Sequence, residues 1–199
     1  PDEIAAIMLE LQAYGCHNIN LVSPSHVAPQ ILAAVYLAAQ QGLRLPLVYN
    51  SGGYDSVEML QLLDGVMDIY MPDMKYGSSQ IARHYSKVRN YTQINQAAVK
   101  EMHHQVGDLQ ISEQGLATRG LLIRHLVLPY DLARTEEVVR FIVQEISINT
   151  YINIMGQYHP AFNAAQHPKL KRAVTHEEVQ SALQLATQAG LSRFSKASL

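Results

Sequence analysis

The chain has 199 residues, 48% of them hydrophobic, with 15 Lys and Arg against 17 Asp and Glu and a formal net charge of −2. That composition excludes a disordered or fibrous chain and offers no basic field for nucleic acid. No run of about 18 or more apolar residues is present to span a membrane, so a single cytoplasmic globular domain over residues 1–199 is expected.

The first segment repeats Ile4, Ile7, Met8 and Leu11 at helical spacing and stops at Gly15, which predicts an amphipathic helix. The chain opens at Pro1 directly in helix-like sequence, without an initiator Met or signal pattern, and is expected to be a fragment lacking its beginning. Cys16 is the one cysteine, so neither an internal disulfide nor a cluster held only by this chain's thiolates can form. Its place before an apolar run reads as a small buried hydrophobe.

"NINLV" then predicts a strand, and Pro29 with Ile31, Leu32 and Val35 predicts a helix ending at Gly42. "LPLVYN" and the run through Val57, Leu60 and Leu63 repeat that unit, with Ser56 as N-cap. "GVMDIYM" predicts a third strand, followed by helical stretches near 79–87 and 92–106. His103 and His104 are adjacent on the second of these and cannot form an i, i+4 chelating pair. Polar alternation over 108–119 suggests a hairpin or flap, and "GLLIRHLVLP" reads as the strongest strand of the chain. A helix from about Thr135 to Glu145, the strand "TYINIM" and a last helix opened by a Thr175/Glu178 capping box complete the pattern.

Five strands alternating with helices predict an α/β fold with a parallel sheet, either doubly wound or a partial or full barrel. In both, the loops leaving the carboxyl ends of the strands form the binding crevice. Those ends are "SPSH" (23–26), "NSGGYD" (50–55), "PDMKY" (72–76), "RHLVLPY" (124–130) and "MGQYHP" (155–160). Ser25 or His26 is equally readable as a cap for the following helix, and Gly52–Gly53 as a plain turn. Asp73 and Lys75 project to one side of a strand end, as an ion pair or as the edge of a site. Arg124 interrupts an apolar run and requires a carboxylate partner or an anionic ligand.

Taken in order, "HNINLVSPSH", "LVYNSGGYDS", "LLDGVMDIYMPDMKY", "EMHHQVGDLQISEQG", "GLLIRHLVLP" and "NTYINIMGQY" resemble the radical S-adenosylmethionine proteins of the pyruvate formate-lyase activating enzyme type, in an uncharacterised branch. The similarity covers residues 2–192. It implies a partial (β/α) barrel, lacking here its first strand and cluster loop, with S-adenosylmethionine bound across the strand ends beside a [4Fe-4S] cluster. In such enzymes the reduced cluster cleaves the cofactor to a 5′-deoxyadenosyl radical that takes hydrogen from a substrate. For the activating enzymes the substrate is a glycine on a glycyl radical enzyme, and a flavodoxin or ferredoxin serves as reductant.

The resemblance places Ser23 and Ser25 at the methionine end of the cofactor and Asn50 and Ser51 near its ribose and sulfonium. "PDMK" is similar to the family's "LDLK", giving Asp73 and Lys75 cofactor contacts; "IRHLVLP" sets Arg124 at the site and Leu126 against the adenine. "QYHP" suggests His159 near adenine or ribose, although an arginine is expected there, and Tyr130 stands where a glycine would follow "VLP". The family's CxxxCxxC is absent and would precede residue 1, so the cluster ligands are expected upstream and no metal ligand is assigned here. Two other readings stay open: a cluster-less barrel serving as a binding or scaffold module, and a barrel lyase using Lys75 as an amine nucleophile.

Overall fold

The computed structural model describes residues 1–195. Helix α1 (Asp2–Ala13) leads into strand β1 (Ile19–Val22), then α2 (Ala28–Gln40), β2 (Leu47–Ser51), α3 (Val57–Gln61) and β3 (Ile69–Pro72). Two helices, α4 (Ser79–Ser86) and α5 (Tyr91–Val106), precede β4 (Gln110–Ile111) and β5 (Ala117–Leu126). The chain closes with α6 (Thr135–Phe141), β6 (Tyr151–Met155), α7 (His176–Gln188) and β7 (Arg193–Phe194).

Six strands pair in parallel in the order β1-β2-β3-β5-β6-β7, and β4 folds back antiparallel on the start of β5. An unreversed order has no topological switch point, so the doubly wound alternative is excluded and the sheet is a partial barrel. Crossovers of one hand then stack the helices on one face of the sheet. Strand alternation follows: Tyr49, Leu121, Ile123, Ile152 and Ile154 are buried under the helices in the main core. The opposite, inner face is filled low down by Val48, Ile69 and Leu109 and turns polar toward the strand ends.

Local signals set several boundaries. Ser56 Oγ accepts the Met59 amide, and Thr175 and Glu178 form the reciprocal capping box at the start of α7. The helix expected to run to Glu145 stays regular only to Phe141; Ile142–Ile146 widens into a π turn, with Ser147 N–H reaching the Ile142 carbonyl at 3.0 Å. In α1 the buried positions are Ala5 and Met8, while Ile4 and Ile7 face outward. The small residues Ala34 and Ala38 of α2 are fully buried. Such small side chains let a neighbouring helix approach closely, and they favour Ala5 over the bulkier stripe.

Candidate functional site

The rim where the parallel strands end gathers an acid and two bases. The register pairs Val22 with Asn50 and Asn50 with Met71, and an isolated bridge pairs Asp73 with Arg124, itself opposite Asn153. Partners in a register share a face, so these side chains belong to the inner surface in two successive layers. Asp73 Oδ2 accepts from Lys75 Nζ at 2.7 Å, and Arg124 Nη2 lies 2.7 Å from Asp73 Oδ1. The Arg124 contact falls outside hydrogen-bonding geometry: Asp73 Oδ1 and Arg124 Nε are both buried without a hydrogen-bond partner among the described residues. Asp73 Oδ1 is therefore held by charge alone, and Arg124 Nε keeps an unused donor on the same inner face.

A scaffold behind the rim fixes this arrangement. Gly53 turns at φ +72°, and a Cβ there would meet the Asp73 carbonyl at 2.2 Å, so only glycine lets the two strand-end turns touch. Asn95 Nδ2 bridges them, donating to the Gly53 carbonyl at 2.8 Å and to the Asp73 carbonyl at 2.9 Å. One helical turn earlier, the Tyr91 hydroxyl accepts the Lys75 amide at 2.8 Å. Burial pushes the Tyr91 phenol up, against the opposing pull of that amide. Sequence reading missed both residues; the available signal was a polar Asn95 inside the buried stripe Tyr91, Ala98, Val99, Met102 of α5.

A second network lies on the other side of β2. The Asp55 carboxylate, 3% exposed, accepts from Ser25 Oγ, from Tyr49 Oη at 3.0 Å and from Ser51 Oγ at 2.7 Å. Ser51 Oγ also accepts the Gly53 amide at 3.1 Å. Two of the three candidate serines, Ser25 and Ser51, are thus engaged in tying the β1 and β2 ends together. Burial pushes the Tyr49 phenol up, with the Ser25 hydrogen bond opposing it and the Asp55 charge adding to it.

The remaining expected residues are spread along the rim. Asn50 is 8% exposed, and its side-chain amide makes no hydrogen bond among the described residues. Lys75 Nζ extends across Gly52, where a Cβ would lie 3.8 Å from it. Ser23 is exposed in a left-handed conformation after β1, its amide on the Asn50 carbonyl at 2.8 Å. Leu126 packs against the apolar cluster of Tyr76, Leu128 and Leu170 that caps this end of the barrel. His159 is exposed in the loop after β6, with Nδ1 3.3 Å from the Gln157 carbonyl. His125, between Arg124 and Leu126, points the other way into the core, against the Met74 carbonyl (2.7 Å) and Thr135 Oγ1 (3.0 Å). Burial pushes its pKa down, which keeps it a neutral structural group.

No protein-family model matches the chain. An uncharacterized protein of Methanocaldococcus jannaschii is 33% identical over 192 residues, covering 96% of this chain and 52% of that protein. The chain therefore spans about half the length of the curated relative it matches. Among solved structures, a domain of pyruvate-formate lyase-activating enzyme from Bacteroides vulgatus matches with a TM-score of 0.61. The match covers 89% of this chain and 97% of that domain at 13% identity. The fold is a partial barrel like that of the matched domain. At that identity the likeness concerns the path of the chain, and the chemistry rests on the rim residues themselves.

Proposed function

We propose that this chain is the S-adenosylmethionine-binding body of a radical enzyme of the activating-enzyme kind. The observation that supports it is the Asp73–Lys75–Arg124 ion-pair group at the carboxyl end of a partial barrel, in which neither Asp73 Oδ1 nor Arg124 Nε has a hydrogen-bond partner among the described residues. The cofactor fits that donor set. Its α-carboxylate suits the Lys75 ammonium or the Arg124 guanidinium, and its ammonium and ribose hydroxyls suit the Asp73 carboxylate and the Asn50 amide. The open ground over Gly52 admits a ligand against the backbone, and the Leu126 cluster offers an apolar wall for a purine.

When bound, S-adenosylmethionine supplies a sulfonium whose one-electron reduction furnishes hydrogen-atom abstraction. The chain's own residues orient it: Asp73 is held by two cations, Asn95 fixes the Asp73 backbone, and Gly52 puts no side chain beside the Lys75 ammonium. The cluster does not fit the residues here. Among the described residues no group of three His, Cys, Asp or Glu could hold a metal, and Cys16 precedes β1, at the end of the sheet away from the rim. The reading accordingly assigns the cluster's cysteines to sequence outside these 199 residues, and with them glycyl-radical activation and its reductant.

Two experiments divide the proposal. Equilibrium dialysis with S-adenosylmethionine tests cofactor binding by this chain, and saturable binding lost in Asp73→Asn is the expected result. A longer form of the protein, if it carries three such cysteines, should release 5′-deoxyadenosine when reconstituted with iron and sulfide and reduced. Binding without release would leave a cofactor-binding module and remove the enzyme reading.

A further inference from the structure

The charges of this chain are segregated. Residues 1–73 carry eight Asp and Glu and a single base, Arg44. Residues 74–100 reverse this, with Lys75, Arg83, Lys87, Arg89 and Lys100 and no acid at all. Residues 146–176 do the same, with Lys169, Lys171 and Arg172 and no acid. Both basic segments follow strand ends, β3 and β6, and the fold brings them together: the His167 ring lies 5.1 Å from Tyr85 and 5.8 Å from His84.

The result is a continuous basic face beside the rim. An open hollow of about 520 Å³ is lined by Gln80, Arg83, His84, Lys87 and Arg89, with no carboxylate in its wall. A second, of about 380 Å³, shares Gln80 and His84 with it and reaches Lys169 and Arg134, the latter paired with Asp131, the one carboxylate in its wall. Arg83, Lys87, Arg89, Lys169 and Lys171 are exposed, and none pairs with a carboxylate among the described residues. Lys75, Lys100 and Arg172 are the paired members of the two segments. Cations at the end of α4 favour the helix dipole, which accounts for Arg83, His84 and Lys87, whose Nζ donates to the His84 carbonyl at 2.8 Å, but not for Arg89, Lys169 or Lys171. The same loop holds Phe162, 97% exposed and at φ 51°, a left-handed conformation that costs a non-glycine residue about 1 kcal/mol or more.

We infer that this face docks an acidic protein surface. Its cations are spread over two segments and two hollows, so they suit a distributed negative surface better than one phosphate. Two unpaired arginines and three unpaired lysines make the face cationic, and the loop that carries Lys169 and Lys171 also offers the exposed ring of Phe162 as an apolar anchor. Nucleic acid suits it less, because the chain as a whole is at −2 and nucleic-acid-binding domains are strongly basic. Unpaired cations on one face steer an acidic partner toward the rim and set its orientation. The inference does not depend on what the rim binds.

Fluorescence anisotropy with a labelled peptide of about 12 glutamates tests it, read against added salt because screening of exposed charges is the signature. The expected result is saturable binding that weakens about tenfold or more in Arg83→Glu/Lys87→Glu/Lys169→Glu and is unchanged in Arg44→Glu. Each of the three changes is on an exposed side chain, and the single reversals, each expected to weaken binding about twofold, serve if the triple variant does not fold. Absence of binding, or equal binding by the reversed variants, overturns the inference. Tighter binding of an oligothymidylate of matched charge overturns it in favour of nucleic acid. Self-association abolished by the same reversals overturns it in favour of a second copy of this chain, docked through its acidic residues 1–73.

Discussion

Arg124 and Asp73 meet at 2.7 Å across neighbouring parallel strands, and Lys75 takes the other oxygen of the same carboxylate at 2.7 Å. The side chains of Asp73, Arg124 and Lys75 are 14%, 24% and 44% exposed, so the group grades from half-buried to wet. That gradient orders the costs of breaking it.

Asp73→Asn leaves a half-buried guanidinium without its counter-ion and should lower the unfolding free energy by about 1–3 kcal/mol. Lys75→Ala removes only the exposed arm and should cost less than about 1 kcal/mol. Urea denaturation of both variants checks the order. Equal losses would mean that Lys75, not Arg124, is the principal partner.

Asn95→Ala strands the Gly53 and Asp73 carbonyls, which Asn95 Nδ2 now satisfies from 42 and 22 residues away in sequence. Two buried acceptors lose their donor, so a loss of about 2–4 kcal/mol is expected in chemical unfolding. Cofactor affinity should fall as well, because the two turns that shape the rim come apart. Unchanged affinity in a folded Asn95→Ala would show that the turns hold their place without this amide.

Tyr130 has φ 59° and ψ 31°, a left-handed conformation for a large side chain. Its amide donates to Glu178 Oε1 at 2.8 Å, and the Arg172 guanidinium lies 4.3 Å from its ring centroid. Tyr130→Gly relieves strain and loses the ring contact, so its stability should stay within about 1 kcal/mol of the parent. Tyr130→Val keeps the strain, adds β-branching and should cost about 1–3 kcal/mol. Thermal unfolding of the pair separates backbone strain from ring stacking.

Two groups weaken the fold as pH falls, in successive windows. Hydrogen bonds from Arg172 hold the Glu178 carboxyl down to about 2. A depressed acid stabilises the fold above its unfolded pKa near 4.5, and that contribution is lost as pH falls from there through about 2. The stability gap between the parent and Glu178→Gln should therefore close across that window. His125 is pushed below its ordinary 6.5 by burial. The unfolded chain then binds a proton that the folded one refuses, so stability declines as pH falls below about 6.5. Urea titration of His125→Asn should show a flatter profile between neutral pH and that window's end.

The sequence was most informative where a contact is local. The Ser56 cap, the Thr175/Glu178 box and the two helices after β3 depend on residues a few positions apart, and each is read within one or two turns. Parallel order was legible from alternation, whereas the choice of a barrel over a doubly wound sheet came only from the resemblance, because it is settled by which strand lies beside which. The partner of Arg124 is 51 positions back, at Asp73, and only register joins them. Asp55 illustrates the same limit: nothing next to it announces that Ser25, Tyr49 and Ser51 all converge on one carboxylate. In α1 the periodicity contained two overlapping stripes, and the inward one was decided by the neighbouring helix.

The most direct test of the central claim is the dissociation constant for S-adenosylmethionine of the parent chain and of Asp73→Asn, measured by titration calorimetry on samples whose circular dichroism matches. The account predicts one saturable site in the parent, weakened at least about tenfold by the substitution, the loss expected when a charge-assisted contact of roughly 1.5–3 kcal/mol is removed. A folded parent that shows no saturable binding, or a variant that binds as tightly as the parent, would contradict it.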